Sequence, residues 1–566
     1  MTLGADNDAN RVANSSLVSG FLWSNAGFGK LKDVQELEGV EPRYDPTVIV
    51  SHAATASTHD SIDQSAFLDE DFTGKAPKSI VFPSALDYHE AYKSGQLTPT
   101  AVAEALLLLI RRDVASPSKY ATAFMGTKVD LVCRAAAAST QRYRDGKPRS
   151  PLDGVLVAVK DEVDLTGYTK TYGSGVDFTH SQDATSYCVQ KWIDAGAIVV
   201  GKTSMHELGL DTTNLNPIHG TPLNPYAPSY YPGGSSGGSG SVVGSGLVPI
   251  ALGADGGGSI RIPSAYCGIY GLKPSHNRIS IAPTTSIAAS TGVVGPMTAN
   301  MLDLELAYRI MAAPDPSHPT QSSFPSPNPA PTTPKHKILG ICTPWISRSD
   351  PAIQTLFLTT LTHLAQTLSY TLVEISLPFL PEGQMAHAMT ILAEIATLRT
   401  PLQKLSAPNK ILLSTGKNTP APDLLQAQKL RHLIMQHLSH LYEQHPGLII
   451  LTPTTPNAGW PIHPGDQAYG ASNANMSVRA MEYVWLANFS GCPALNAPMG
   501  YVKAEQGEGR VPAGIMGMGE WGSEEELVGF GYDLERYLQD GYEGGRPRPE
   551  AFVDVMDMAK TAIRAA

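Results

Sequence analysis

Short continuous runs of apolar residues alternate in this chain with segments that have the length and boundary residues of helices. The run Val155–Val159 is unbroken and of strand length, which is typical of a strand buried on both faces. Farther along, Asp183 is a candidate cap for a helix that runs to Asp194, and Gly196 is its candidate end signal. Ala197–Val200 then predicts a second strand. This alternation indicates an α/β fold.

A later part of the chain repeats the alternation as a strand–helix–strand unit. Residues 337–342 and 370–375 each predict a strand. Between them a helix begins at Asp350 and Pro351 and continues to about Ser369. Strands joined through a helix pair in parallel, so the sheet is at least partly parallel. The pattern predicts one large α/β domain in which helices cover a mixed sheet.

The domain boundaries follow from where regular patterns begin and stop. Residues 1–80 are rich in Asp, Asn, Ser and Thr and predict a mostly irregular N-terminal extension. The main domain is assigned to residues 81–566, and its first clear helix begins at Thr98–Pro99. Within it, residues 313–334 are crowded with Pro and Ser and predict a long surface connection.

Composition and charge narrow the functional classes. Charged residues make up 16% of the 566, against about 25% in an average globular protein, and the net charge is −11. An acidic chain of this kind does not predict a nucleic-acid-binding surface. The five cysteines are far apart and show no metal-binding spacing, which favours reduced thiols in a cytoplasmic protein without a metal or other cofactor. We see no secretory signal and no apolar run long enough to span a membrane.

The most informative stretch is rich in glycine and serine and runs from Gly233 to Pro274. A flexible linker would have a similar composition, but the apolar residues of the run Leu247–Leu252 have no place in a solvated linker. Asp255 and three glycines follow that run and lead to Ser259. A tight glycine turn lets backbone N–H groups converge on one point, as an oxyanion hole requires. We interpret this stretch as an active-site loop.

Lys160 ends the predicted buried strand, and two interpretations stay open on that position alone. Most lysines at strand ends are surface residues. A lysine delivered by a fully buried strand is desolvated, however, and desolvation favours the neutral amine that can act as a base.

Four stretches of the chain together resemble the amidase signature family. The resemblance covers roughly residues 83–537, and a glycine–serine block of this length is a specific signal. The stretches are GVLVAVKDEVDLTG, DAGAIVVGKTSMHELGLDTT, GGSSGGSGSVVGSGLVPIALGADGGGSIRIPSAYCGIYGLKP and LIILTPTTP. The family includes fatty acid amide hydrolases and the glutaminase-like subunit of the tRNA amidotransferase. The resemblance implies a single large domain with a mixed, mostly parallel sheet and helices on both faces.

The resemblance also implies a site, which is carried over residue by residue. Ser259 matches the nucleophile, Ser235 the bridging serine that follows a cis peptide bond, and Lys160 the base of a Ser-cisSer-Lys triad. The implied reaction is hydrolysis of a carboxylic acid amide through a seryl acyl-enzyme, with a small-molecule amide as the partner and no cofactor. Two further groups carry over from the loop. The implied oxyanion donors are the N–H groups of Gly256, Gly257, Gly258 and Ser259, and the implied loop braces are Asp255 and Arg261.

The chain departs from the commoner family pattern at three positions. Glu162 stands where the family often has Asn, and Ala254 and Gly256 stand where it often has Thr. None of these changes removes a group of the implied triad, but they leave the substrate preference open.

Other interpretations stay open beside the amidase. Residues 234–238 fit the nucleophile elbow of an α/β-hydrolase esterase, which would make Ser236 the attacking residue, although Tyr226–Pro232 before it does not predict a strand. An amidotransferase-like enzyme would instead pass the acyl group or ammonia to another acceptor. A phosphate-binding loop is excluded because no Gly-Lys-Ser/Thr follows the glycines. The sequence leaves open the substrate's acyl and amine groups and whether the protein forms a homo-oligomer.

Overall fold

A computed structural model of the chain describes residues 9, 10, 12, 15–50, 72, 74, 75, 82–469 and 473–565. Its centre is one eleven-stranded sheet. The strands are β1 Phe124–Gly126, β2 Leu156–Lys160, β3 Ile198–Thr203, β4 Ile250–Asp255, β5 Tyr270–Lys273, β6 Val293–Thr298, β7 Ile338–Ile341, β8 Thr371–Glu374, β9 Leu448–Pro453, β10 Ala494–Lys503 and β11 Arg510–Met518. Their order across the sheet is β1-β3-β2-β4-β6-β5-β10-β11-β9-β7-β8.

The sheet is mixed, as predicted. Parallel neighbours form two groups of three strands, β3-β2-β4 and β9-β7-β8, and antiparallel pairs join the strands between them. The expected mostly parallel pairing therefore applies only to those two groups. The physical reason lies in short connections such as the one from β10 to β11, which spans only residues 504–509 and leaves no room for the crossover that parallel strands need.

Helices cover the sheet and bury its central strands completely. Every residue of β2, β4, β5 and β9 is buried, which requires cover on both faces. The α-helices span Ser16–Asn25, Ala85–Lys93, Pro99–Ile110, Val129–Arg144, Tyr187–Asp194, Gly237–Gly244, Arg261–Tyr266, Met301–Met311, Thr343–Ile346, Pro351–Gln366, Leu380–Ile395, Ala407–Lys417, Ala421–Gln444, Asp466–Tyr469, Ala474–Ala480, Trp485–Ser490, Glu524–Arg536 and Val555–Ala565. The α/β fold class is thereby confirmed.

Local sequence patterns predicted several of these elements correctly. The Thr98 side chain accepts a hydrogen bond from Ala101 N at 3.2 Å and caps the helix Pro99–Ile110, as the Thr-Pro pair predicted. The predicted strand–helix–strand unit appears as β7, a helix and β8 in parallel.

The cap predicted at Asp183 is wrong. The helix begins only at Tyr187, after Ser186. Asp183 has a φ of +45° and its carboxylate accepts the Gly167 N–H at 2.8 Å, so it closes a loop instead. Asp is one of the few residues that adopts this left-handed conformation readily.

Part of the predicted N-terminal extension, including residues 51–71, lies outside the described residues. Its described part contains the helix Ser16–Asn25, where Trp23 Nε1 donates to Thr419 Oγ1 at 3.1 Å.

The Pro- and Ser-rich residues 313–334 form one 3₁₀ turn, Gln321–Ser323, and otherwise irregular chain. The division at residue 80 stays a prediction. In the described part of the chain, no helix is long and apolar enough to cross a membrane.

Two helices meet through a buried carboxylate. Glu535, near the end of the helix Glu524–Arg536, accepts the backbone N–H of Met301 at 3.0 Å, at the start of the helix Met301–Met311. Burial raises the pKa of Glu535 to about 7, against the opposing effects of this hydrogen bond and of Arg546.

This raised pKa predicts that Glu535 makes folding stability fall as the pH rises. Between pH 4.5 and about 7 the folded state holds a proton that the unfolded state has lost, so the free energy of unfolding decreases through that window. Glu535→Gln keeps the acceptor and cannot ionise. We expect the variant to gain roughly 3 kcal/mol relative to the wild type between pH 4 and pH 8, measured by denaturant unfolding. Parallel pH dependences in the two proteins would contradict this prediction.

Candidate active site

Lys160 lies at the carboxyl end of β2, in the middle of the parallel group β3-β2-β4. The side chain is fully buried. Its Nζ lies 2.8 Å from Ser235 Oγ, 3.1 Å from the carbonyl oxygen of Ala254 at the end of β4, and 3.0 Å from Glu162 Oε2. The buried strand β2 thus places the Lys160 amine against two neighbouring loops. The interpretation of Lys160 as a surface residue is excluded.

Ser235 occupies the loop before the helix Gly237–Gly244. The Gly234–Ser235 peptide bond is cis, as the resemblance implied, and the Ser235 carbonyl accepts the His206 N–H at 3.1 Å. Glycine is required at position 234 because a Cβ there would lie 2.7 Å from the backbone nitrogen of Asn214. The tight approach of these backbones brings the Ser235 hydroxyl to Lys160.

Ser236 connects this loop to β4 and to the glycine turn. Its hydroxyl donates to Ala254 O at 3.0 Å and accepts from Ala254 N at 3.2 Å, and its own N–H donates to Ser259 O at 3.2 Å. The side chain is completely buried. The Ser236 hydroxyl thus both donates to and accepts from the backbone of Ala254. These are the contacts of a structural residue and not those of an elbow nucleophile. Irregular chain precedes it where an elbow would require a strand.

Ser259 lies between the end of β4 and the helix Arg261–Tyr266. It is half-buried, and its carbonyl bond to Ser236 holds it beside the Ser235 loop. Among the residues that the structure describes, nothing forms a hydrogen bond with the Ser259 hydroxyl. This hydroxyl is therefore not engaged by the surrounding described residues.

In the glycine turn, residues 255–259, one glycine N–H is bonded within the turn and the others have no acceptor in the described structure. The Gly258 N–H donates to Asp255 Oδ1 at 2.6 Å. Our expectation that Gly258 would be an oxyanion donor therefore needs correction, because a carboxylate already takes that N–H to close the turn. The N–H groups of Gly256, Gly257 and Ser259 have no acceptor within the described residues, so these three stay available.

A buried ion pair shapes the turn. Asp255 and Arg261 form two parallel hydrogen bonds of 3.0 Å, and both side chains are fully buried. Burial alone would raise the pKa of Asp255, but the charge and hydrogen bonds of Arg261, with smaller help from Lys273 and Gly258, hold that pKa well below its usual range. Asp255 is thus a permanent anion at the base of the turn.

Two residues that contact this site could not be identified from the sequence. Asn488 Nδ2 donates to Asp255 O and Oδ1, both at 2.9 Å, and Asn488 Oδ1 accepts from Arg261 at 2.6 Å. His387 Nε2 lies 2.7 Å from the Gly256 carbonyl oxygen. Both reach the turn from more than 130 positions away in the sequence. No local pattern marks such contacts.

A comparison with protein families now decides the assignment. The family model described as Amidase matches residues 115–528, well over half of the chain. The chain belongs to the amidase family. This confirms the resemblance, and with it the predicted function: the protein is an amidohydrolase that hydrolyses amide bonds.

Individual relatives agree with this assignment. The fatty acid amide hydrolase of Medicago truncatula is 32% identical to this amidase over 492 residues, which cover 83% of this chain and 78% of the plant protein. The solved structure of a bacterial aryl acylamidase of the amidase signature family superimposes with a TM-score of 0.70. It covers 85% of this chain and 99% of its own, and at 21% identity it shows the fold alone.

The amidotransferase alternative is not better supported. One subunit of the glutamyl-tRNA(Gln) amidotransferase of Deinococcus deserti is 29% identical over 476 residues, which cover 79% of this chain and 94% of that protein. It is thus less similar to this amidase than the plant hydrolase.

The turn geometry predicts opposite outcomes for two alanine substitutions. Gly258 has a φ of +110°, and a Cβ there would lie 2.4 Å from Val484 Cγ2. At Gly256, where φ is not positive, a Cβ would lie 3.0 Å from the terminal Cδ1 of Ile391, and its next neighbours would be 3.8 Å away, at ordinary contact distance. We expect Gly258→Ala to cost about 1–2 kcal/mol through its backbone alone and to lower amide hydrolysis by about 100-fold. Gly256→Ala should keep most activity. Thermal unfolding and amide hydrolysis check this prediction, and equal losses in the two variants would contradict it.

Proposed function

We propose that this amidase uses Ser259 as the nucleophile, Ser235 as a proton relay and Lys160 as the base. The observation that carries the proposal is the fully buried Lys160 amine, 2.8 Å from Ser235 Oγ, in a site where the Ser259 hydroxyl is free. A serine hydroxyl attacks a carbonyl only when a neighbouring base takes its proton, and a Ser–Lys pair supplies that base without histidine.

The contacts of Lys160 fit its proposed role as the base. Two of its three neighbours, the Ala254 carbonyl and the Glu162 carboxylate, accept hydrogen bonds. A neutral amine has two protons for these acceptors and one lone pair. In the step in which Lys160 acts as the base, this lone pair would face the Ser235 hydroxyl, 2.8 Å away, and accept its proton.

The proposed reaction proceeds through an acyl-enzyme. Ser259 Oγ attacks the amide carbon while its proton passes to Ser235 Oγ and the Ser235 proton passes to Lys160 Nζ. The C–N bond then breaks as the relay returns a proton to the departing amine nitrogen. Water attacks the acyl-enzyme in the same way, which releases the carboxylic acid and regenerates Ser259.

The negative charge on the carbonyl oxygen would be held by backbone groups. We assign this oxyanion hole to the N–H groups of Gly256, Gly257 and Ser259, which have no acceptor in the described part of the structure. The Asp255–Arg261 pair would brace them, because it sets the course of the turn between these donors. Donors that are already oriented stabilise the developing charge without reorganisation.

The substrate that we propose is a linear carboxylic acid amide with an apolar acyl group. The similarity to the plant fatty acid amide hydrolase supports this choice, as do Ile391, Met481 and Ala288 beside the glycine turn. Hydrolysis of a panel of aliphatic, aromatic and amino-acid amides, followed by ammonia or amine release, tests it. A preference for charged amino-acid amides would contradict it.

We further propose a cytoplasmic location, supported by five unpaired cysteines.

The first prediction from this mechanism separates the serines. Ser259→Ala should lose both amide hydrolysis and labelling by a fluorophosphonate, because in this mechanism the Ser259 hydroxyl alone attacks the substrate or the probe. Ser236→Ala is the matched control and should keep substantial labelling, since it loses only its bonds to the Ala254 backbone. Labelling that survives in Ser259→Ala but disappears in a folded Ser236→Ala would reverse the assignment.

The second prediction tests the relay. An amine leaves only when it is protonated, whereas an activated ester expels a nitrophenolate that needs no proton. Ser235→Ala should therefore lower kcat/KM for the amide about 10²–10⁴-fold and lower it much less for the nitrophenyl ester of the same acid. A Ser235 that only shapes the loop would lower both rates by a similar factor, because both substrates use the oxyanion hole. The comparison of the two kcat/KM ratios decides between these roles.

A further inference from the structure

His387 contacts the glycine turn through the backbone of Gly256. It lies on the helix Leu380–Ile395 and is almost completely buried. Its Nε2 is 2.7 Å from the carbonyl oxygen of Gly256. A carbonyl oxygen only accepts hydrogen bonds, so Nε2 must carry the proton.

The other ring nitrogen defines the charge state of His387. Nδ1 is buried and has no hydrogen-bond partner within the described residues. Burial lowers the pKa of His387 to about 4, although the bond to Gly256 opposes that shift. At neutral pH the side chain is therefore a neutral imidazole with its single proton directed at the turn.

Packing keeps the imidazole in this position. The Phe489 ring meets it edge-on, with ring centroids 6.2 Å apart. On the turn side, a Cβ at Gly257 would lie only 2.9 Å from His387 Cε1. The ring is thus held between an aromatic side chain and the backbone, and glycine at position 257 is what allows the close approach.

The bond to Gly256 orients a neighbouring donor. The Gly256–Gly257 peptide is trans, so its carbonyl and its N–H point in opposite directions. When His387 holds the Gly256 carbonyl, the Gly257 N–H points away from the helix. That N–H is one of the three without an acceptor in the described structure.

We propose that His387 is a positioning residue of the oxyanion hole: its Nε2–H holds the Gly256 carbonyl and thereby presents the Gly257 N–H to the oxyanion of the substrate. This inference rests on the proposed function, because it takes Ser259 as the nucleophile. His387 touches neither the substrate nor the transferred protons in this scheme and acts only through the peptide that it holds.

The test compares two substitutions at His387 with a control elsewhere. His387→Leu removes the donor at similar volume, and His387→Gln restores an N–H near the position of Nε2. The control is His437→Leu, since His437 Nε2 makes the same kind of bond, 2.8 Å to the Ser376 carbonyl, outside the site. Each protein is assayed with an amide, with the nitrophenyl ester of the same acid, and with the trifluoromethyl ketone of that acyl chain, which forms a tetrahedral oxyanion with the nucleophile.

We expect His387→Leu to lower kcat by up to about 100-fold for amide and ester alike, with little change in KM. The inhibition constant of the trifluoromethyl ketone should rise by the same factor, because it reports binding of the oxyanion. His387→Gln should recover most of both losses, and His437→Leu should match the wild type. A folded His387→Leu enzyme whose ketone affinity is unchanged overturns the proposal, as does equal impairment of the Leu and Gln variants.

A measurement on the wild-type protein covers the case in which His387→Leu does not fold. Nitrogen NMR of ¹⁵N-histidine-labelled enzyme should show a neutral Nε2–H imidazole whose signal is absent in His387→Gln. An Nδ1–H tautomer overturns the proposal. Failure of the proposed function gives a different result, because the fluorophosphonate label would then lie on a residue other than Ser259 in the wild type, whatever the His387 variants do.

Discussion

The buried ion pair between Asp255 and Arg261 is the interaction on which the rest of this site depends. Asp255 ends β4 and Arg261 begins the following helix, so the pair joins the two ends of the glycine turn. An ion pair without solvent contact is stable only when the remaining hydrogen-bonding capacity is also satisfied. Here the carboxylate accepts from Gly258, Ile260 and Asn488 in addition to Arg261. Satisfying the anion therefore dictates the path of the turn.

The path of the turn also determines which backbone N–H groups have no acceptor. Asp255 binds two N–H groups, those of Gly258 and Ile260, and leaves those of Gly256, Gly257 and Ser259 without an acceptor in the described structure. The strands supply one wall of the site, with Lys160 from β2. Helices that are distant in the sequence supply the other, with Asn488 and His387. The site is therefore a junction between the sheet and its helical cover, and its geometry depends on both.

Two of the three departures from the commoner family pattern make contacts around Lys160. Ala254 contributes its backbone, which bonds to Lys160 and Ser236, so the lack of a Thr side chain leaves these contacts intact. Glu162 places a carboxylate 3.0 Å from Lys160 Nζ, where the family often has the neutral Asn. This chain thus places a carboxylate acceptor beside Lys160 where the commoner pattern has an amide.

The sequence by itself determined the parts of this protein that depend on neighbouring residues. The buried run that ends at Lys160, the Thr-Pro start of a helix and the glycine–serine block are all local patterns, and they were sufficient for the α/β class, the family and the hydrolysis of amides. The cap predicted at Asp183 failed because a contact with Gly167, 16 positions earlier, outweighed a local preference. Only the tertiary structure decided that Asp255 accepts the Gly258 N–H, that the Ser236 hydroxyl bonds to the Ala254 backbone, and that Asn488 and His387 form hydrogen bonds with the turn. These outcomes depend on which distant groups compete for each hydrogen bond, and that competition exists only once the chain has folded.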